Sequence, residues 1–481
     1  MASIKRNFIY DLINNVSGLI FPLITFPYTS RILNPEGIGA VAFAQSIIAY
    51  FVMFAALGIP TYALREVAKL KNDKQKLSTF TFEIITIHAV LSILSYLIAL
   101  SLYFIDRIND IWLIYSIASI HIILNFLGFT WFFQGIEEFR FITVRVLIFR
   151  VLSLVGLFVF VRESSDVYWY MAILIFSEAG NNVCNIFMLR KYVSFRNICL
   201  RYRNLKKHIK PIVTLFLLSV STMIYFNMDN LMIGFIKDDI SVGYYNPALR
   251  IQRMLMGFVL SLSTVLFPRL SSLAKTDRAQ FFSLSREGIN ATLGLSLPIV
   301  FGIYALGRPL ILLFAGEQFE PSILTLDFLA PVIVLGTCSN LLAKVLISQE
   351  REKMVLIATS VGAIVNLLLN AAFIYYFSQY GAAIASSLSE LAVLITMIII
   401  GRYYLPRPLI IFDAMKYFVA SILMCAAVVW IVNICDIGAL ASCVVGFFVG
   451  VVVYGLFLLI LKEKFIVNNV IRFVSTKYSK H

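Results

Sequence analysis

Residues 242–268 read VGYYNPALRIQRMLMGFVLSLSTVLFP. The run is long enough to cross a hydrocarbon core of about 30 Å at about 1.5 Å per residue, yet Arg250 and Arg253 stand inside it. Counted from residue 242 at one surface, they lie roughly 12 and 17 Å deep, near the bilayer middle. Asn246, Arg250, Arg253, Gly257, Ser261, Thr264 and Pro268 recur at steps of three and four, so they share one face of a helix. A charge at that depth costs at least about 2.5–3.5 kcal/mol unless something receives it. The stretch therefore predicts a membrane helix whose polar face meets either a partner or a water-filled cavity.

Working outward, the whole chain has the same character. It is 60% hydrophobic and 14% charged, with a mean hydropathy of +0.88, where ordinary soluble chains are about 45–50% apolar and about 25% charged. Soluble enzymes, disordered scaffolds and collagen-like rods are excluded. Charged and Pro/Gly-rich breaks divide the sequence into fourteen candidate spans: 8–31, 38–60, 80–105, 111–135, 141–161, 167–189, 211–236, 242–268, 288–306, 322–347, 354–377, 381–400, 412–434 and 437–461. The fold class is all-α integral membrane. Lys5 and Arg6 precede the first span as in a signal peptide, but Asp11, Asn14 and Asn15 interrupt it and no cleavage site follows, so it reads as a retained helix.

The net charge of +14 is mostly topology. In one alternate set of loops fall 29 lysines and arginines; the other set holds Arg31, Arg107, Arg162, Lys237 and Arg308. The positive-inside rule then places both termini in the cytoplasm, and nucleic acid is not an expected partner. No Gly-rich phosphate loop ending in Gly-Lys-Ser/Thr occurs, so ATP hydrolysis is unsupported. The cysteines, Cys184, Cys199, Cys338, Cys425, Cys435 and Cys443, lack the spacing of a disulfide framework or a zinc site. No enzymatic activity, cofactor or metal is expected.

The most basic connection, 190–210, separates six spans (1–189) from six more (211–400), with two further spans and a tail over 401–481. Leu57-Gly58-Ile59-Pro60 at the end of span two answers Val265-Leu266-Phe267-Pro268 at the end of span eight, and Ile38-Gly39-Ala40 answers Val242-Gly243-Tyr244. Six is an even number, so the second set inserts in the same orientation. Two lobes related by a pseudo-two-fold axis along the membrane normal are predicted.

Other polar groups lie within spans. Asp11, Asn14, Gly18, Pro22, Thr25 and Thr29 form one face of the first, and Gln45 lies on the matching face of the second. Asp229, Glu178 and Glu390 are deep carboxylates, which together with Asp11 are candidates for proton or sodium coupling; each could equally be a structural ion-pair partner, Asp229 for Arg250 and Glu178 for Arg150. Lys344 and Arg145 lie near the inner surface and are expected to snorkel. His88 and His121 are expected to be hydrogen-bonded core residues, and Trp112, Trp131 and Tyr10 interfacial anchors. A guanidinium fork suits phosphate oxygens, so the deep arginines point to an anionic cargo. Moving two negative charges outward across an inside-negative membrane gains roughly 4–5 kcal/mol per 100 mV.

The segment Phe26-Pro27-Tyr28-Thr29-Ser30-Arg31-Ile32-Leu33-Asn34-Pro35-Glu36-Gly37-Ile38-Gly39, with Tyr244-Tyr245-Asn246-Pro247-Ala248-Leu249-Arg250-Ile251 and Val265-Leu266-Phe267-Pro268-Arg269-Leu270-Ser271, resembles bacterial polysaccharide-repeat (O-antigen or capsule) flippases of the multidrug/oligosaccharidyl-lipid/polysaccharide exporter superfamily. That resemblance implies an undecaprenyl-pyrophosphate-linked oligosaccharide as cargo, moved from the cytoplasmic to the outer face of the bacterial inner membrane. Its isoprenoid tail would stay in lipid through a lateral opening near spans one and eight. It also implies neighbours among other membrane proteins of polysaccharide assembly, and a substrate site at Arg250, Arg253, Asn246, Asn14, Gln45 and Arg31, with Arg31 nearest the outer rim. The family commonly has twelve spans, so the last two are additional. Two rivals remain: a multidrug antiporter of the same superfamily, which would want a carboxylate-rich cavity, and a polysaccharide polymerase or glycosyltransferase, which would want a large outer loop that this sequence lacks.

Overall fold

The computed structural model describes residues 4–194, 202–406, 411–435 and 438–461. In chain order its helices are α1 (Ile4–Ala56), α2 (Ile59–Leu70), α3 (Lys74–Ser101), α4 (Asp106–Asn109), α5 (Trp112–Phe126), α6 (Thr130–Gly135), α7 (Phe139–Phe160), α8 (Val167–Glu178) and α9 (Cys184–Tyr192). Then come α10 (Tyr202–Ile236), α11 (Asp239–Thr276), α12 (Arg278–Phe314), α13 (Ser322–Ile347), α14 (Glu352–Gly401), α15 (Ile411–Cys435) and α16 (Ala439–Ile460). Arg196, Cys199 and Arg201 of the basic connection, Arg407, and the basic tail from residue 462 lie outside the described residues.

Each predicted span coincides with helix. Ten helical segments among the described residues are long and apolar enough to cross a membrane, and the bent pair Ser164–Glu178 with Gly180–Tyr192 adds another. Two of the ten hold two predicted spans each: α1 is kinked at Asn34 (φ 59°) and α14 at Ser378 (φ 53°). The remaining span is α10. Helix is the expected answer to a bilayer, since it satisfies every backbone N–H and C=O internally.

Three connections differ from the sequence reading. Segment 61–79 is mostly helix: α2 turns Ile59, Tyr62, Ala63 and Val67 inward, and Asp73 caps α3 by accepting from the Lys76 N–H at 3.1 Å. Segment 269–287 collapses to a single residue between helices, Asp277, which caps α12 by accepting from the Gln280 N–H at 3.0 Å. At the other end α12 runs through Pro298 and Pro309 to Phe314, so the connection predicted to be outer is shorter than 307–321; the chain turns at Gly316, whose φ of 98° suits a residue without a side chain.

The chain divides into two compact units, residues 1–243 and 244–481. The division falls past the basic connection because α10 packs on α1, α2 and α3. Within the first unit, helix breaks at Leu127–Phe129 and Ala179–Val183 are matched to each other. The Asn182 amide donates to the Leu124 carbonyl at 3.2 Å and the Asn185 amide to the Leu127 carbonyl at 2.7 Å, so side chains satisfy backbone groups that the broken helix releases. In the second unit α13 packs between α12 and α14, while α15 and α16 sit against α12 through Leu306, Met424 and Val428. Tyr454 ties α16 to the Gly294 carbonyl at 2.8 Å. The last two spans are thus attached to the outside of one helix.

Candidate functional site

The stretch that opened the sequence reading is one unbroken helix, α11, despite Pro247 and Pro268. Asn246 is buried, Arg250 half-buried and Arg253 exposed. Gly257, Ser261 and Thr264 continue the exposed polar stripe, and a Cβ built at Gly257 would meet nothing within 4 Å. One step round the helix, Met254, Phe258 and Val265 are also exposed, at 37%, 65% and 76%. An exposed apolar row suits lipid and an exposed polar row suits water.

Lys344 corrects one sequence expectation. Instead of snorkelling to the interface, its Nζ donates to Ser263 Oγ at 3.0 Å and Thr264 Oγ1 at 2.9 Å, from α13 onto α11. Periodicity gives a residue's depth but not the helix it leans on, so the partners of this cation are visible only in the structure. Glu390 of α14 is buried beside Gly336 of α13, where an added Cβ would stand 3.5 Å from its carboxyl carbon and 2.6 Å from Met256 of α11.

The first unit gathers other candidates. Arg150 of α7 donates to the Asn14 carbonyl at 2.9 Å and also to Ser17 Oγ, and its guanidinium would stand 3.3 Å from a Cβ at Gly18. The polar face of the first span therefore packs against α7 at Asn14, Ser17 and Gly18, and Thr25 and Thr29 further along are buried. Glu178 lies near enough for its charge to act on Arg150, and His121 Nδ1 stands 4.0 Å from Glu178 Oε2, beyond hydrogen-bond length. Asp11 accepts from the Asn15 amide at 3.1 Å. Arg31 is exposed and donates back to the Pro27 carbonyl one turn away. Gln45 is half-buried and Asp229 buried. Asp11 and Arg31 sit towards opposite ends of the first span, roughly 30 Å apart along its axis.

Further sequence expectations are corrected here. Arg145 is 5% exposed; it donates to Asn185 Oδ1, which locks that amide towards Leu127, and stacks 5.2 Å above Phe141. Its role is structural. His88 is buried, but neither ring nitrogen has a hydrogen-bond partner among the described residues. Trp131 is 3% exposed, a core residue and not an interfacial anchor.

At the end predicted to be outer, Arg107 pairs with Asp239, donates to the Gly234 carbonyl at 2.8 Å and lies 4.8 Å above the Phe43 ring. A cavity of about 620 Å³ opens beside the pair, lined by Asn34, Glu36, Asp110 and Tyr168 among others. Beneath it two backbones touch. A Cβ at Gly39 would overlap the Asp239 carbonyl and stand 2.7 Å from the Gly243 nitrogen; one at Gly243 would overlap the Pro35 carbonyl and stand 2.9 Å from its Cα. These are the two glycines that correspond in the sequence repeat, and each is required by the close approach of the other segment.

Membrane-crossing helices in two units, with a half-exposed cationic helix, define a multi-pass membrane protein of the transporter class. The solved structure of the lipid II flippase MurJ in an inward closed conformation superposes with a TM-score of 0.76 at 16% identity, covering 95% of this chain and 100% of that one. An inward-facing multidrug resistance MATE family transporter gives a TM-score of 0.64 at 14% identity, covering 80% and 93%. The fold is the two-lobe fold of these transporters. The polysaccharide biosynthesis protein family matches residues 4–274 and the MatE family residues 213–372. The chain belongs to the polysaccharide biosynthesis protein family. A relative in Escherichia coli (strain K12), named putative O-antigen transporter, is 24% identical over 412 residues, 83% of this chain and 97% of that protein.

Proposed function

We propose that this protein is a flippase for lipid-linked oligosaccharides, carrying undecaprenyl-pyrophosphate-linked repeat units from the cytoplasmic to the outer face of the inner membrane by alternating access, with both termini cytoplasmic. The name of its Escherichia coli relative, a putative O-antigen transporter, supports the substrate class. The observation that carries the reading is the double exposure of α11. Its polar row, with Arg253, suits a phosphorylated sugar in water, and its apolar row of Met254, Phe258 and Val265 suits a tail that never leaves the lipid.

Asn246, Arg250 and Arg253 are the residues assigned to the pyrophosphate and first sugar, with Gln45, Asn14 and Arg31 as outlying polar contacts. The Gly39–Gly243 contact is assigned as the outer seal, to be opened once per cycle. Proton or sodium coupling is assigned to Glu178 with its His121 and Arg150 neighbours, and to Asp229, Glu390 and Asp11. Reconstitution into vesicles with a defined polyprenyl-pyrophosphate oligosaccharide tests the reading, scored by accessibility of the sugar to an external lectin under imposed ion gradients. Protein-dependent exposure of the sugar is expected. Export of a cationic dye with no movement of the lipid would replace it with the multidrug antiporter.

A further inference from the structure

We propose that Lys344, held on the Ser263 and Thr264 hydroxyls, is a phosphate-loading site at the inner mouth, met by the substrate before the deep arginines of α11. The inference rests on the flippase reading above and specifies how the anionic head is first held.

Three features of the second unit support it. First, the ammonium is fixed. Lys344 lies in the last turn of α13, and its two hydrogen bonds to α11 hold it in place, half-buried beside the exposed Thr264. Ser263 is itself fixed, since its hydroxyl reaches Asn340 Oδ1 at 3.0 Å and the Leu260 carbonyl at 2.9 Å. An acceptor network of this kind positions a cation without neutralising it.

Second, the charge is not compensated. Ser263 and Thr264 are neutral, and among the described residues no carboxylate oxygen lies within 4.0 Å of the Lys344 nitrogen. An ammonium has three protons and two are engaged, so one donor remains for a ligand. A cation held near the end of a membrane helix by hydroxyls alone has more to gain from an anion than one already paired with a carboxylate.

Third, the location is on the substrate's path. Thr264 is exposed and belongs to the row that includes Ser261, Gly257 and Arg253. Along the helix axis Thr264 lies about 16 Å from Arg253. A single pyrophosphate spans far less, so one headgroup cannot engage Lys344 and Arg253 together. The two cations therefore form successive stations, the first compact and point-like, the second a planar fork.

Successive stations predict a split between capture and crossing. In vesicles, with sugar exposure followed against the mole fraction of a defined polyprenyl-pyrophosphate oligosaccharide, Lys344→Gln should raise the half-saturating fraction about tenfold, as expected for loss of a charge-assisted hydrogen bond. The saturating rate should stay within about twofold of wild type, and Lys344→Arg should restore most of the affinity. A half-saturating fraction unchanged in Lys344→Gln overturns the proposal, as does a collapse of the saturating rate alone. A wild-type protein that moves no lipid overturns the flippase reading, and this inference with it. A second measurement needs no variant: farnesyl pyrophosphate, but not farnesol, should slow acetylation of Lys344 in the wild-type protein, read by mass spectrometry. Equal acetylation with both probes counts against the site even if Lys344→Gln fails to fold.

Discussion

Replacing Gly39 by alanine adds one methyl group at the point where two backbones meet. That carbon would overlap the Asp239 carbonyl and stand 2.7 Å from the Gly243 nitrogen, whereas relaxed carbon contacts lie at about 3.5–4.0 Å. The two segments must therefore part by roughly 1.5–2 Å at the Asp239 carbonyl. Overpacking of this kind costs about 1–3 kcal/mol, and because about 1.4 kcal/mol is tenfold in an equilibrium constant, the closed form of this contact should lose about one to two orders of magnitude in relative population. Spin labels at Glu36 and Lys237, either side of the contact, read that population directly in lipid nanodiscs. Gly39→Ala should add a longer distance component and slow flipping. Gly302→Ala, where a Cβ meets nothing within 4 Å, is the neutral control. An unchanged distance distribution and an unchanged flipping rate in Gly39→Ala would refute the reasoning that these glycines close the outer end.

Other expectations concern separate parts of the molecule. Arg253→Ala should abolish flipping while expression persists, and Arg253→Lys should rescue it only in part, since an ammonium lacks the planar fork; normal flipping by the alanine variant removes Arg253 from the site. Asn185→Ala should lower stability by about 2–3 kcal/mol, because it strips the Leu127 carbonyl and Arg145 of a partner at once. A thermal unfolding midpoint equal to wild type would show that the helix break is satisfied in another way. His208 is buried against Tyr62 at 2.8 Å and Glu83 at 2.8 Å, with Lys207 and Glu66 also near. Burial holds this imidazole below its ordinary value, with Glu83 opposing. A depressed histidine favours the fold in its neutral form, so its contribution is complete above about pH 6.5 and is lost as pH falls through the lower folded value. Thermal stability should drop between pH 7 and 5 more steeply in wild type than in His208→Gln; parallel curves would exclude His208 as the source.

The spans were legible because a bilayer imposes one length and one polarity on every crossing segment. Even the kinks were marked, by Pro35 next to Asn34 and by the short polar stretch around Ser378. Less legible were the helix ends. The stretch with Gly307 and Pro309 is compatible with one helix or a broken one, and α12 passes both, since neighbouring groups can take up the hydrogen bond that a proline forfeits. The amphipathic α2 was read as a connection because Arg65, Glu66 and Lys69 dominate its outward face, although Ile59, Ala63 and Val67 already carried the period of an inward one. Within the site, periodicity found the polar face of α11 but could not say which neighbouring helix a long side chain would join. Arg145 and Lys344, at similar depths, have opposite fates, one sealed against Asn185 and the other reaching Ser263 and Thr264. That difference is set by the azimuth of a second helix, which no single stretch of sequence contains.

The continuity of α11 has a mechanical consequence. With 38 residues from Asp239 to Thr276, it is a strut about 57 Å long. Pivoting about its glycine end by about ten degrees would swing the far tip through about 10 Å. A rotation of a few degrees at one end is thus amplified into several ångströms at the other.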